Sequence, residues 1–311
     1  MNRVLAHTGA TYPIVQAPMG WIARSELASA VSRAGGLGII ETSSGETEAC
    51  KAEIGKMIET GLPFGVNLPI MFLRDDAMLK FVCGSGVKFV TTSAGSPAKF
   101  VAPLKAAGIA VYHAVPTVDA AVKCVEAGVD GLVVEGAEGG GFKNPEEVST
   151  LVLLQAIREK VDVPLIAAGG ICDGRGMAAA FALGAEAIQM GTRFVSCAES
   201  PVHRNYKQKI VDAKETGTYV LNKKATPCIR ALKSERMDAI HEEGRMPADV
   251  FKDIRGVYFG GDMEAAPALA GQSAGLIHEV KPVKEIIDDT VAQFFEITAR
   301  LGALAAARSF G

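Results

Sequence analysis

Three stretches of this chain hold residue types that could do chemistry. The first is Glu135-Gly136-Ala137-Glu138-Gly139-Gly140-Gly141-Phe142-Lys143, where two carboxylates flank a glycine run. Backbone without side chains at Gly140 and Gly141 would let a flat ligand lie close, and Glu135 with Glu138 could pair as acid and base. The pattern is not GxGxxG at a strand-to-helix turn, so the dinucleotide fingerprint does not apply. The second is a pair of turns, Ala168-Gly169-Gly170-Ile171 and Gln189-Met190-Gly191-Thr192-Arg193-Phe194, each just after a short apolar run. Glycines so placed let backbone N–H groups converge on an anion, which makes Gly169, Gly170, Gly191 and Thr192 the expected cradle for a phosphate. The third is His113. An ordinary imidazole pKa near 6.5 suits acid–base catalysis, and the competing role is a hydrogen bond to a buried backbone group or ligand. His203 follows the eighth apolar run closely enough to reach a phosphate, while Cys172 beside the phosphate turn reads as apolar packing. No His, Cys, Asp or Glu grouping has metal-ligand spacing, so no metal is expected.

The elements that must position these residues repeat along the chain. Short apolar runs rich in β-branched residues start at residues 14, 38, 64, 89, 109, 131, 164 and 187. They do not alternate apolar with polar, so both faces of each strand should be buried, as in a parallel sheet covered by helices. Helical spacing fills the intervals, over Ala23–Ala34, Val118–Ala127, Val148–Ile157 and Met177–Leu183, and several units close on a helix-ending glycine such as Gly108 or Gly184. Eight such units predict an α/β fold of the (β/α)8 TIM-barrel type; a doubly wound open sheet shares the repeat and differs only in closure. In a barrel, active sites sit on the loops at the carboxyl ends of the strands, where all three stretches fall.

From about Ala198 to Gly260 the chain turns charged, through Lys207, Lys214, Lys223, Lys224, Arg230 and Lys233. Residues 198–261 are therefore expected to form a helical lid or substrate subdomain, inserted into a barrel made of residues 1–197 and 262–311. Its other reading is a solvated appendage for oligomer contacts, such as a homodimer.

Composition limits the partners. The 311 residues are 49% hydrophobic and 22% charged, which excludes disorder, and a net charge of −3 leaves no basic footprint for nucleic acid. Apolar windows such as Met177–Leu183 fall far short of the ~20 residues of a membrane span. Six scattered cysteines without a CxxC read as reduced thiols. The expectation is a cytoplasmic protein with a small-molecule substrate and neither nucleic acid nor membrane as partner.

Several segments, in order and nearly end to end, resemble the nitronate monooxygenase (2-nitropropane dioxygenase) family. They are Gln16-Ala17-Pro18-Met19, Gly65-Val66-Asn67, Glu135 to Gly141, Ala168 to Ile171, Ala187 to Phe194 and Ala270-Gly271-Gln272-Ser273-Ala274-Gly275-Leu276-Ile277. That family includes flavin-type enoyl-acyl-carrier-protein reductases and NAD(P)H:quinone reductases. The resemblance implies FMN, with its phosphate on Gly169, Gly170, Gly191 and Thr192 and its isoalloxazine near Ala17, Pro18 and Met19. It also implies that Asn67 bonds the ring edge, that Glu135, Gly140 and Gly141 help bind the cofactor, and that Gln272 closes the pocket. The leading expectation is an FMN-dependent oxidoreductase of nitronate monooxygenase type, oxidising an alkyl nitronate or similar small anion with oxygen.

One departure from the family pattern bears on the reaction. Its glycine-rich loop ends in a histidine that serves as base, and here that place is Phe142, which then belongs to the substrate pocket. His113 is left as the candidate catalytic residue. The first alternative is therefore an NAD(P)H-dependent FMN reductase of an enoyl thioester or quinone, with Lys223, Lys224 and Arg230 receiving a nucleotide or pantetheine phosphate. A non-redox lyase or isomerase acting on a phosphorylated metabolite could use the same phosphate loops, and a catalytically dead scaffold could retain the cofactor. Gly170→Asp is predicted to put a carboxylate in the cradle and abolish FMN retention with the fold intact. Stoichiometric FMN copurifying with that variant would refute the phosphate assignment.

Overall fold

Eight parallel strands hydrogen-bond side by side around one axis. They are β1 (Ile14–Gln16), β2 (Gly38–Ile40), β3 (Phe64–Pro69), β4 (Phe89–Ser93), β5 (Ala110–Val115), β6 (Gly131–Glu135), and, after a two-residue β7 (Gly141–Phe142), β8 (Leu165–Ala168) and β9 (Ala187–Met190). The computed structural model describes residues 1–307. The sheet runs β1-β9-β8-β6-β5-β4-β3-β2, and the last seam, between β1 and β2, is spanned by a parallel bridge between Val15 and Leu37. Gln16 N donates to Leu37 O and Leu37 N to Ile14 O across that seam. The near-closure distinguishes the barrel from a doubly wound sheet.

Every barrel strand matches one of the predicted apolar runs, and the packing explains why those runs do not alternate. Successive side chains point to opposite faces of a strand. Val15, Leu37, Ile39, Phe89, Tyr112 and Ile166 fill one buried cluster. Ile14, Ile40, Val66, Val90, Val111 and Leu132 belong to the larger core that includes residues of the surrounding helices. Both faces are apolar because neither meets water.

The helices are α1 (Arg3–Thr8), α2 (Ser25–Arg33), α3 (Thr47–Thr60), α4 (Ala77–Gly84), α5 (Ala98–Ala106), α6 (Val118–Glu126), α7 (Thr150–Arg158), α8 (Gly174–Ala182), α9 (Thr192–Val195), α10 (Arg204–Val211), α11 (Glu235–Glu243) and α12 (Val283–Ala307). Helix α12 packs on α8 and α2, returning the chain to the barrel. Helix α1, which no sequence periodicity marks, sits at the amino ends of the strands. There Arg3 pairs with Glu186 and Asp162, just before β9 and β8, and Val4 joins the cluster of Phe89 and Tyr112.

The expectation for residues 198–261 needs correction. The segment is not purely helical: beside α10 and α11 it holds an antiparallel hairpin, β10 (Thr218–Leu221) and β11 (Ile229–Leu232), and a π-helical turn over Gly256–Gly260. Strand β11 also pairs with β7, giving a second sheet ordered β10-β11-β7. These strands are four residues long and separated by a charged turn holding Lys223 and Lys224, so the local composition hid them. Burial of all four residues of β11 stabilises the hairpin. Among the described residues no helix is long and apolar enough to cross a membrane, and no cluster of His, Cys, Asp and Glu could hold a metal ion.

Candidate active site

A cavity of about 790 Å³ lies at the carboxyl ends of the barrel strands. It sits within the range of roughly 300–1,000 Å³ typical of ligand sites. Ala17, Pro18 and Met19 line it after β1, with Asn67 on β3 and His113 on β5. Glu135, Gly140, Gly141 and Phe142 line it from β6 to β7, and Gly169, Gly170, Gly191 and Thr192 from the turns after β8 and β9. The chain thus brings together His113, Phe142 and every expected cofactor-binding residue but one, while Glu138, Cys172, His203, Lys223, Lys224 and Arg230 lie outside the lining. Gln272 stands apart: its side chain is exposed, and its neighbours Gly271 and Ser273 line the cavity instead.

The turn after β8 has the backbone a cradle needs. Gly169 (φ 100°) and Gly170 (φ 74°) are consecutive left-handed residues, a conformation that favours glycine and can point successive N–H groups into one concavity. Gly169 also makes room for the chain beside it, since a Cβ there would lie 2.9 Å from Thr150 Oγ1 and 3.1 Å from Gly136 O, and glycines in the β6 loop do the same. A Cβ on Gly140 would lie 2.6 Å from the Ala270 carbonyl carbon, and one on Gly136 would lie 2.1 Å from Thr150 Oγ1. They allow backbone to pack on backbone. Hydrogen bonds fasten the contact: Gln272 N donates to Glu138 O, and Gly271 N to Thr192 Oγ1, both at 2.9 Å.

The two carboxylates of this loop do not form an acid–base pair. Glu138 does not line the cavity; it accepts from Thr150 N and Oγ1, each at 2.9 Å, and so caps the start of α7. Glu135 lines the cavity and pairs with Lys143, whose side chain is only 3% exposed.

His113 is 4% exposed, with Nδ1 2.7 Å from Thr92 Oγ1. Burial pushes its pKa down to about 4, against an opposing pull from the Gly95 carbonyl. A group that resists charging this strongly is neutral at pH 7 and brings no cation to the cavity. Asn67 spends its amide nitrogen on β4, with Nδ2 3.0 Å from Thr91 Oγ1 and 3.2 Å from Thr91 O.

Phe142 is 49% exposed at the cavity, its ring 5.5 Å from Phe72 and 6.0 Å from Phe251. Pairing of Phe142 with Ile229 in the second sheet fixes its backbone.

The basic segment is mostly committed to the fold rather than free for a phosphate. Arg230 is buried, donates to Ala137 O at 2.9 Å and Thr218 Oγ1 at 3.0 Å, and lies 3.6 Å from Glu147. Lys223 pairs with the same Glu147, which leaves Lys224 exposed. His203 is not at the cavity: its ring accepts from Asn205 N at the start of α10. Cys172 is buried in the core, its thiol pushed up to about 12 by burial.

Sequence reasoning passed over Glu41, which supports the loop after β1. This fully buried carboxylate accepts from Trp21 N at 3.1 Å, Ser43 N at 2.6 Å and Ser44 N at 3.0 Å, and pairs with Arg24 at 2.7 Å. It holds Trp21 in the left-handed region (φ 61°), next to the cavity-lining Gly20. A carboxylate followed by Thr42, Ser43 and Ser44 at a strand end was the available signal.

Comparison with known proteins adds a separate line. Residues 2–79 and 71–293 match the family described as nitronate monooxygenase. A solved structure of FabK from Thermotoga maritima superposes with a TM-score of 0.93, at 40% identity over 97% of this chain and 99% of that one. The (3aS,4S,5R,7aS)-5-hydroxy-7a-methyl-1-oxo-octahydro-1H-indene-4-carboxyl-CoA dehydrogenase of Mycobacterium tuberculosis is 34% identical, over 76% of this chain and 67% of its own. A probable nitronate monooxygenase of Staphylococcus haemolyticus is 30% identical, over 79% of this chain and 82% of its own.

The buried imidazole makes a pH prediction. The unfolded chain protonates His113 near the ordinary 6.5, whereas the folded chain resists until about 4. Stability from this group is therefore full above pH ~6.5 and falls as pH drops through the window, by roughly 3 kcal/mol in all. Urea unfolding at pH 7.5 and 5.0 should show a smaller acid loss for His113→Gln than for the unmodified chain. Equal losses would mean that His113 charges freely in the fold.

Proposed function

The chain belongs to the nitronate monooxygenase family, a family of oxidoreductases, and from that premise we propose that it is an FMN-dependent reductase of α,β-unsaturated acyl thioesters, supplied with electrons by NAD(P)H. Membership leaves no place for the lyase or isomerase reading. When bound, FMN supplies the two-electron chemistry that no side chain can perform. The left-handed pair Gly169–Gly170 fits its phosphate, because consecutive residues in that conformation can turn their N–H groups into one concavity at the cavity wall. Gly191 and Thr192 would complete the grip, with Ser273 rather than Gln272 as the contribution of the C-terminal segment. The loop carrying Ala17, Pro18 and Met19, braced by Glu41 through Trp21, would flank the ring. With its nitrogen engaged on β4 and its oxygen taking only a long 3.5 Å contact from Ser93 Oγ, Asn67 has lone-pair capacity on that oxygen to accept from a ring N–H.

The observation that carries the thioester reading is the aromatic rim. Phe142 occupies the place of the family's histidine and groups with Phe72 and Phe251, presenting apolar surface to whatever enters. Such a rim gains by burying an acyl chain, at roughly 25 cal/mol per Å² of apolar surface, and offers nothing to a small anion. The neutral state of His113 has the same consequence. A relative acting on a CoA thioester and the 40% identity to FabK support this reading over the one the sequence alone put first. Nitronate oxidation is the second reading. The Staphylococcus haemolyticus relative favours it, and a nitronate, being already an anion, needs no base at position 142.

Anaerobic stopped-flow separates the two. NADH or NADPH should bleach the bound flavin, and crotonyl-CoA should then restore its colour. Failure of both nucleotides to bleach it, with oxygen consumed on adding propyl-2-nitronate, would replace the proposal with the second reading.

A further inference from the structure

Tyr258 is the one residue of the 198–261 segment among those lining the cavity. It lies in the π-helical turn Gly256–Gly260, a wide helical form that appears mostly as single turns and often at functional sites. Its ring is fixed from behind: it stacks on Tyr206 with centroids 5.6 Å apart, and Tyr206 is itself tied by its hydroxyl to Leu269 O at 2.7 Å. The backbone is held as well, because His203 N donates to Tyr258 O at 2.7 Å. The hydroxyl of Tyr258 has no hydrogen-bond partner among the described residues, although the residue is only 4% exposed.

Three other polar groups lining the cavity are already engaged, whereas the side chains of Lys123, Gln189 and Ser273 make no hydrogen bond among the described residues. His113 is engaged by Thr92, Lys143 by Glu135, and the Asn67 nitrogen by Thr91. The Tyr258 hydroxyl is not among the fully buried polar atoms left without a partner, so on a residue that is itself buried it has open space to meet, and the residue borders the cavity, where a ligand or water can accept from it. Burial and the nearby Glu41 carboxylate both raise its pKa well above the usual phenol value, so the group keeps its proton and is a neutral donor at physiological pH.

Resting on the thioester reading above, we infer that the Tyr258 hydroxyl donates a hydrogen bond to the carbonyl oxygen of the bound acyl thioester. Reduction of the double bond adds a hydride equivalent at Cβ and a proton, ultimately from water, at Cα. Between the two, the alkene electron pair shifts toward the carbonyl and negative charge gathers on its oxygen. A fixed donor aimed at that oxygen stabilises the charge without reorganising, and losing one such donor costs about 10²–10³ in rate. The rigid stack behind the ring suits this role, since a donor that had to move would lose much of the advantage.

Tyr258→Phe tests the inference, because it removes the hydroxyl, keeps the stack and leaves no protein partner unsatisfied. FMN content and the rate of flavin reduction by NAD(P)H should match the unmodified protein, while reoxidation by crotonyl-CoA slows by about 10²-fold. A second readout needs no turnover: isotope-edited infrared spectra of [1-13C]butyryl-CoA bound to the oxidised protein. Its carbonyl band should lie below that of the free ligand in the unmodified protein and return to the free position in Tyr258→Phe. An unchanged band in the variant, or reoxidation within about twofold, overturns the role of Tyr258 alone. If butyryl-CoA fails to bind the unmodified protein and crotonyl-CoA fails to reoxidise it, the thioester reading falls and this inference with it.

Discussion

At the carboxyl end of the barrel, three stretches of backbone meet with almost no side chain between them. The loop after β6 lies against the turn after β8 on one side and against Ala270–Gly271 on the other. Gly136 N donates to Ala168 O, Gln272 N to Glu138 O, and Gly271 N to Thr192 Oγ1. Glu138 ties the same loop to the start of α7 through Thr150, whose hydroxyl also lies 3.1 Å from the carbonyls of Ala168 and Gly169. This contact sets the shape of the cavity and the position of its proposed phosphate cradle. It also fixes the start of the path to Phe142. A side chain at Gly136 or Gly140 would push the layers apart, since close packing transmits such a strain instead of absorbing it.

The electrostatics of the cavity follow from the same economy. Its buried ionisable groups are either neutralised by a partner, as in Glu135 with Lys143, or kept neutral by burial, as in His113. The nearby Glu41, outside the lining, is matched by Arg24 and by backbone donors. Lys123, exposed at the lining, is a cation without an ion-pair partner among the described residues, and the rim around Phe142 is apolar. The inserted segment contributes at two points: β11 holds Phe142 in place through β7, and the π-helical turn presents Tyr258. Its sheet and its turn therefore touch the site, which a solvated appendage would not do.

The barrel was legible because its strands are buried on both faces, which writes unbroken apolar runs into the sequence at βα spacing. The cavity residues were legible for a related reason: in a barrel, whatever follows a strand faces the active end. The hairpin β10–β11 was hidden because four-residue strands beside Lys223 and Lys224 carry no period to read. Arg230 looked like a free cation, yet it is buried and spent on Ala137 and Thr218, a fact that depends on contacts far along the chain. Gln272 was placed at the pocket by resemblance, and the 3-10 turn over Gln272–Leu276 instead leaves it outward while Gly271 and Ser273 face in. Glycine misled in part, because residue type alone cannot separate a glycine that makes room for a ligand from one that makes room for backbone.

The account depends most on backbone amides gripping a phosphate at Gly169 and Gly170, so the direct measurement compares FMN with riboflavin, which is the same ring without the phosphate. Fluorescence-quenching titrations of flavin-stripped protein give both dissociation constants. Charge-assisted hydrogen bonds contribute about 1.5–3 kcal/mol each, so FMN should bind roughly 10²-fold tighter or more. Equal affinity for the two would contradict the account, because nothing at those glycines would then be holding the phosphate.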